Sequence, residues 1–95
     1  MLTSKQRAKL RGMANGLSPI FQVGKGGVTP AFVTQVNQAL EARELIKITV
    51  LESAGVSAQV VCEELCTACG AEAVMVIGGK FVLYRESREK KTIEL

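Results

Sequence analysis

The chain has 95 residues, of which 47% are apolar and 22% charged, with a net charge of +3. That length suits one domain around one core and leaves no room for a second. Histidine and aspartate are both absent, which excludes a Ser-His-Asp site, a Cys-His nucleophile pair and histidine-ligated zinc. No apolar run approaches the ~20 residues of a membrane span, and the opening Met-Leu-Thr-Ser-Lys-Gln-Arg leads into no signal-peptide core. A cytoplasmic protein is expected. Its three cysteines are an odd number, with two on one predicted helix, which fits a reducing compartment better than a disulfide framework.

Thr3-Ser4-Lys5-Gln6 has the spacing of a capping box, and Leu10, Met13, Ala14 and Leu17 recur behind it at helical intervals. Lys5 and Lys9 lie four apart on this first helix, as do Arg7 and Arg11, so the cations form two rows beside the apolar stripe, and both rows are expected to face a ligand. Asn15-Gly16 ends the helix, and Pro19 blocks its continuation. A short strand over residues 20–23 then runs into Gly24-Lys25-Gly26-Gly27. A second helix starts with Thr29 as cap and Pro30 in the first turn, buries Phe32, Val36, Ala39 and Leu40, and ends near Arg43. The β-branched run from Leu45 to Leu51 predicts the second strand. A third helix is expected to bury Val61, Leu65, Ala68 and Cys69 and to stop at Gly70. Strands at 73–77 and 80–85 flank Gly78-Gly79, a pair suited to a tight hairpin turn with positive φ. The result is an α/β (α+β) domain of order αβαβαββ over residues 1–85, with a four-stranded mixed sheet, followed by a charged, mobile tail at 86–95.

Chemistry concentrates at the glycine loop. Glycines let backbone N–H groups approach a ligand closely, the following helix presents its positive end, and Lys25 places an ammonium at the tip, so a phosphate is the expected ligand. Neither the P-loop spacing nor the dinucleotide G-x-G-x-x-G is met, because Thr29 stands where the latter needs its last glycine. What remains is G-x-x-G, a loop that in RNA-binding modules clamps a nucleic-acid backbone; without its context it reads equally well as a flexible strand-to-helix turn. Charge placement favours the clamp. The first forty residues hold Lys5, Arg7, Lys9, Arg11 and Lys25 with no acid, whereas all nine glutamates fall in residues 41–95. A cationic end that carries the loop is an electrostatic footprint for a polyphosphate.

Other chemistries find little support. Glu63 and Glu64 point about 100° apart on a helix and make no carboxylate pair. Cys66-Thr67-Ala68-Cys69 ends a helix, where the dipole disfavours a thiolate, and Cys62 supplies only a third sulfur, so the three thiols read as core fillers. Phe32 and Phe81 fit core positions, and Tyr84 fits the interior at least as well as a base contact. No cofactor, metal or small-molecule substrate is expected. The competing readings are a protein-interaction module using the acidic C-terminal half and a nucleotide-binding enzyme.

Together, Leu2-Thr3-Ser4-Lys5-Gln6-Arg7, Leu10-Arg11-Gly12, Val23 to Thr29, Glu44-Leu45-Ile46-Lys47, Val76-Ile77-Gly78 and Leu83-Tyr84-Arg85 resemble the YhbY family, the free-standing bacterial form of the CRM (chloroplast RNA splicing and ribosome maturation) domain. The likeness runs from Leu2 to Arg85. It implies a fold similar to the C-terminal domain of translation initiation factor three, association with precursor RNA of the large ribosomal subunit and a role in its assembly; a monomer is expected. The family's G-x-x-G loop falls here on Gly24, Lys25, Gly26 and Gly27 and its basic first helix on Lys5, Arg7 and Arg11, while Arg85 closes the Leu-Tyr-Arg motif; Lys9, on the same helix, and Arg85 are expected to join them in contacting RNA. Many relatives carry a basic or amide side chain where this chain has Gly79, a role that Lys80 is expected to take.

Overall fold

The structure, a computed structural model, describes residues 2–95; Met1, the first residue of the expected 1–85 domain, lies outside the described residues. Among the described residues the elements are α1 (Ser4–Ala14), β1 (Phe21–Val23), α2 (Pro30–Arg43), β2 (Leu45–Val50), a 3₁₀ turn (Glu52–Ala54), α3 (Ala58–Cys69), β3 (Glu72–Ile77) and β4 (Lys80–Tyr84). The order αβαβαββ is the expected one, with the 3₁₀ turn added. Local signals set the helix ends. Thr3 and Gln6 close the capping box, Thr29 accepts the Phe32 N–H at 3.1 Å, and Gly70 ends α3 at φ 64°.

The strands pair in the order β1-β2-β4-β3, parallel between β1 and β2 and antiparallel elsewhere. Side chains alternate across this sheet, so Ile46, Ile48, Phe81 and Leu83 point to one face, where they join Val36 and Leu40 of α2 and Val61 and Leu65 of α3 in one buried cluster. Leu45, Val82 and Tyr84 point to the other face, where they meet Leu10 and Ala14 of α1. The single helix α1 thus lies on the face opposite α2 and α3. Tyr84 is 6% exposed and belongs to this second cluster. In α3 the buried stripe runs through Ala58, Val61, Cys62, Leu65 and Cys69, so Cys62 fills the core and Ala68, expected inside, is exposed. Stripe direction is set by where the sheet lies, and Ala68 sits about 100° from its buried neighbour Cys69.

The tail departs from the expectation of a mobile segment. Ile93 is buried, and the backbone N–H groups of Ser87, Thr92 and Ile93 donate to the Glu44 carboxylate at 2.7, 2.7 and 2.8 Å. Glu41, nearly one helical turn earlier, accepts from the Ser87 hydroxyl at 2.6 Å and from the N–H groups of Arg88 and Glu89. Two carboxylates at the end of α2 therefore hold residues 86–95 against the domain. Burial pushes the Glu44 carboxyl up, but the N–H donors around it outweigh that cost and leave it below its ordinary value. The Ser87 hydroxyl and the Arg88 and Glu89 amides hold Glu41 at about 2.

A group whose folded pKa is depressed contributes stability above its unfolded pKa and loses it as pH falls through the folded value. Attachment of the tail at Glu41 should thus be complete above the ordinary glutamate value of 4.5 and be lost as pH falls toward 2. The amide resonances of Arg88 and Glu89, which donate to Glu41, are expected to move toward random-coil positions across that window. Unmoved resonances at pH 2 would show that Glu41 does not hold this part of the tail.

Candidate nucleic-acid interface

One end of the sheet gathers the ends of several elements. The Leu51 N–H donates to Val23 O at 2.8 Å and the Val50 N–H to Gly79 O at 2.6 Å, which brings the β1–α2 loop, the 3₁₀ turn and the β3–β4 hairpin side by side. Gly78 takes φ 55°, the positive value the hairpin needs. Gly79 lies so close to β2 that a Cβ there would stand 3.1 Å from Val50 O, which leaves little space for a larger residue in this chain.

The loop itself is a tight turn. The Gly27 N–H donates to Gly24 O at 2.9 Å, Gly27 adopts φ 64°, and Lys25 and Gly26 form the exposed tip. A Cβ on Gly24 would meet Ser53 Oγ at 3.5 Å, so this glycine rests against the 3₁₀ turn, whereas a Cβ on Gly26 or Gly27 would meet nothing within 4 Å. Phe21 before the loop and Phe32 after it pack edge to face with centroids 5.5 Å apart, an arrangement that pins the two ends of the loop together. Val28 packs against the core on the α2–α3 side. The tip is open to solvent at the positive end of α2.

The remaining cations divide. Lys80 pairs with Thr49, and Thr49 with Gln22, so these three share one row and one sheet face close to the loop. Lys47, two residues before Thr49, points to that same face. Arg11 lies one turn before Asn15, and Asn15 borders a small recess together with Lys47 and Lys80. Arg11, Lys47 and Lys80 therefore belong to one side of the molecule.

Lys5 and Lys9 do not join them. Helix α1 begins at the far end of the sheet, where the Leu2 N–H donates to Glu72 Oε1 at 3.0 Å, and the Lys5–Lys9 row lies on the flank away from Asn15. There the Lys9 ammonium bonds the Glu94 carbonyl of the tail. Arg7 falls on the buried stripe, three residues before Leu10 and seven before Ala14, and its Nε is enclosed without a hydrogen-bond partner among the described residues. Two rows beside an apolar stripe flank it on opposite sides, so they cannot both face one ligand, contrary to the sequence expectation.

Arg85 also differs from its expected role. Its guanidinium donates to Asn37 Oδ1 at 2.7 Å, Asn37 O at 3.1 Å and Cys69 O at 2.8 Å, tying the middle of α2 to the C-terminus of α3. Few donors remain for a phosphate. Sequence reasoning overlooked Lys47, whose signal is the polar pair Lys47 and Thr49 at alternate positions of an otherwise apolar strand. Glu63 and Glu64 are exposed on α3, across the sheet from these cations.

The thiols offer little chemistry. Burial pushes Cys62 up to about 12 and also raises Cys66 and Cys69, so thiolate nucleophiles are disfavoured at neutral pH. Among the described residues no group of three or more His, Cys, Asp or Glu is placed to hold a metal ion, and no helix is long and apolar enough to cross a membrane.

Comparison with known proteins gives a consistent result. The CRS1 / YhbY (CRM) domain profile matches residues 2–85. The chain is 50% identical over its whole length to a Bacillus subtilis protein named "Probable RNA-binding protein YqeI", covering 99% of that protein. It is 33% identical over 90 residues to a Haemophilus influenzae protein named "RNA-binding protein", covering 95% of this chain and 91% of the other. A solution structure from Staphylococcus aureus superimposes with a TM-score of 0.79 at 43% identity, covering all of this chain and 99% of that one.

Proposed function

The chain belongs to the CRS1 / YhbY (CRM) domain family, and from that premise we propose that it is a non-enzymatic RNA-binding protein whose client is precursor RNA of the large ribosomal subunit. The observation that carries the RNA reading is the exposed Gly24–Gly27 turn at the start of α2, beside a sheet face that presents Lys47 and Lys80. Backbone amides at the tip and the α2 dipole attract a phosphate, Lys25 adds a mobile charge, and Lys80, Lys47 and Arg11 continue the cationic track away from the loop. Lys5 lies at the far end and contributes longer-range attraction, while Lys9 and Arg85 are engaged within the fold and Arg7 lies along the buried stripe of α1. The ribosomal client follows from the resemblance to the YhbY family.

Two measurements test the two parts separately. Lys25→Ala is expected to weaken binding to unrelated RNA sequences alike and to lower the slope of log K against log salt by roughly 0.7–0.9, the counterion release of one phosphate contact. An unchanged slope would remove the loop from the interface. Crosslinking in cells followed by sequencing of the attached RNA is expected to recover large-subunit ribosomal precursors, and recovery dominated by messenger or small RNA would overturn that client while leaving RNA binding intact.

A further inference from the structure

The face of the sheet that carries α1 is only partly covered. The helix packs over Leu45, Val74, Val82 and Tyr84, toward the end where β2 begins, and it stops at Asn15. Beyond it the sheet is bare. Ile77 is 62% exposed there, next to Lys80 in the register, and Lys47 and Met75 are only partly buried. The step from covered to bare sheet forms a pocket of about 170 Å³, with Met75, Ile77 and Val82 as its apolar lining and Lys47, Lys80 and Asn15 around them.

We propose that this pocket, between the end of α1 and the bare β3–β4 surface, binds one unpaired nucleobase of the bound RNA. The inference rests on the RNA-binding reading above. Size limits the occupant, because pockets that take whole small molecules run to roughly 300–1,000 Å³ and this one has room for a fragment such as a single base. The lining suits its faces: an aliphatic floor accepts the flat apolar surface of any base, and the Asn15 amide offers both a donor and an acceptor to a base edge. The rim suits its attachment, since Lys47 and Lys80 line the pocket and supply ammonium partners for the phosphates that flank an inserted base, with no acidic residue among the lining groups. A base in a duplex has its faces covered by stacked neighbours, so only a looped-out or single-stranded nucleotide can enter. The protein therefore prefers RNA with an unpaired nucleotide next to the gripped backbone, a preference that the glycine loop alone would not create.

The test compares two probes, a uridine oligonucleotide carrying 4-thiouridine and a blunt RNA duplex, with the full chain. Irradiation is expected to crosslink the oligonucleotide to peptides within residues 75–82. Ile77→Ser, an uncharged change at an exposed position, is expected to weaken binding to the oligonucleotide about fivefold, the scale of one lost aliphatic contact, and to leave duplex affinity unchanged. Equal effects on both probes, no effect on either, or crosslinks that include none of Asn15, Lys47 and residues 75–82 would overturn the pocket and leave RNA binding standing. If the unaltered protein bound neither probe, the RNA-binding reading itself would fall, and the pocket with it.

Discussion

Gly26→Asp is expected to weaken RNA binding by more than about 100-fold while the domain keeps its fold. The size of the effect comes from where the carboxylate lands. Gly26 is at the exposed tip of the turn, next to Lys25, so the new charge would face the phosphate that the tip attracts, and a like-charge juxtaposition in an interface costs several kcal/mol. Retention of the fold follows from the space, since a Cβ at Gly26 meets nothing within 4 Å and its φ is not in the left-handed region. Gly27 makes a poorer test position. Its φ of 64° would add backbone strain of order 1 kcal/mol or more to any substitution, which mixes a stability effect with a binding effect. Anisotropy titration of Gly26→Asp against structured RNA, with circular dichroism as a check on folding, reads both quantities. Near-normal affinity in a folded Gly26→Asp protein would show that the loop is only a connection between β1 and α2.

Glu44→Ala is expected to destabilise the domain by about 3 kcal/mol, the loss of several charge-assisted hydrogen bonds made by a fully buried carboxylate. For a chain of this size that corresponds to a fall in Tm of roughly 12–24 °C. Three N–H groups would be left without their acceptor, and the tail would leave the domain to recover hydration, exposing Ile93 and the side of α1 beside it. Glu44→Gln keeps one acceptor oxygen and should cost less. Glu44 also holds φ 66°, uncommon for a residue with a side chain, and its own carbonyl accepts the Arg85 N–H at 3.0 Å, so this one residue joins α2, β4 and the tail. A Glu44→Ala protein that melted within 2 °C of the unaltered chain would show that the tail contributes nothing to stability. RNA affinity at temperatures where the variant remains folded should change little, because Glu44 is remote from the loop end of the sheet.

The elements were legible because their signals are local. The Thr3–Gln6 box, the Thr29-Pro30 start of α2, the Gly70 stop and the Gly78-Gly79 hairpin each act within four residues of the group they satisfy, and each is found where the sequence places it. The exposed glycine loop was legible for the same reason. Arg85 was not. An arginine after an apolar strand reads as a surface cation, and only the packing of α2 against α3 brings Asn37 and Cys69 O within its reach, 48 and 16 residues away in the chain. Glu41 and Glu44 escaped notice likewise, since their partners lie more than 40 residues further along the chain.

By itself, then, the sequence of this chain determined the element order, the helix caps, the glycine turn and the separation of an acid-free first forty residues from a mixed remainder. Tertiary structure alone decided which cations stand together. A helix with charges on both flanks of its apolar stripe can present only one flank to a given neighbour, and the docking of α1 over the β2–β4–β3 surface turned Arg11 toward Lys47 and Lys80 and Lys9 toward the tail. Partner choice across a sheet depends on which face a helix buries, a competition among packing energies of the whole domain that no local pattern encodes.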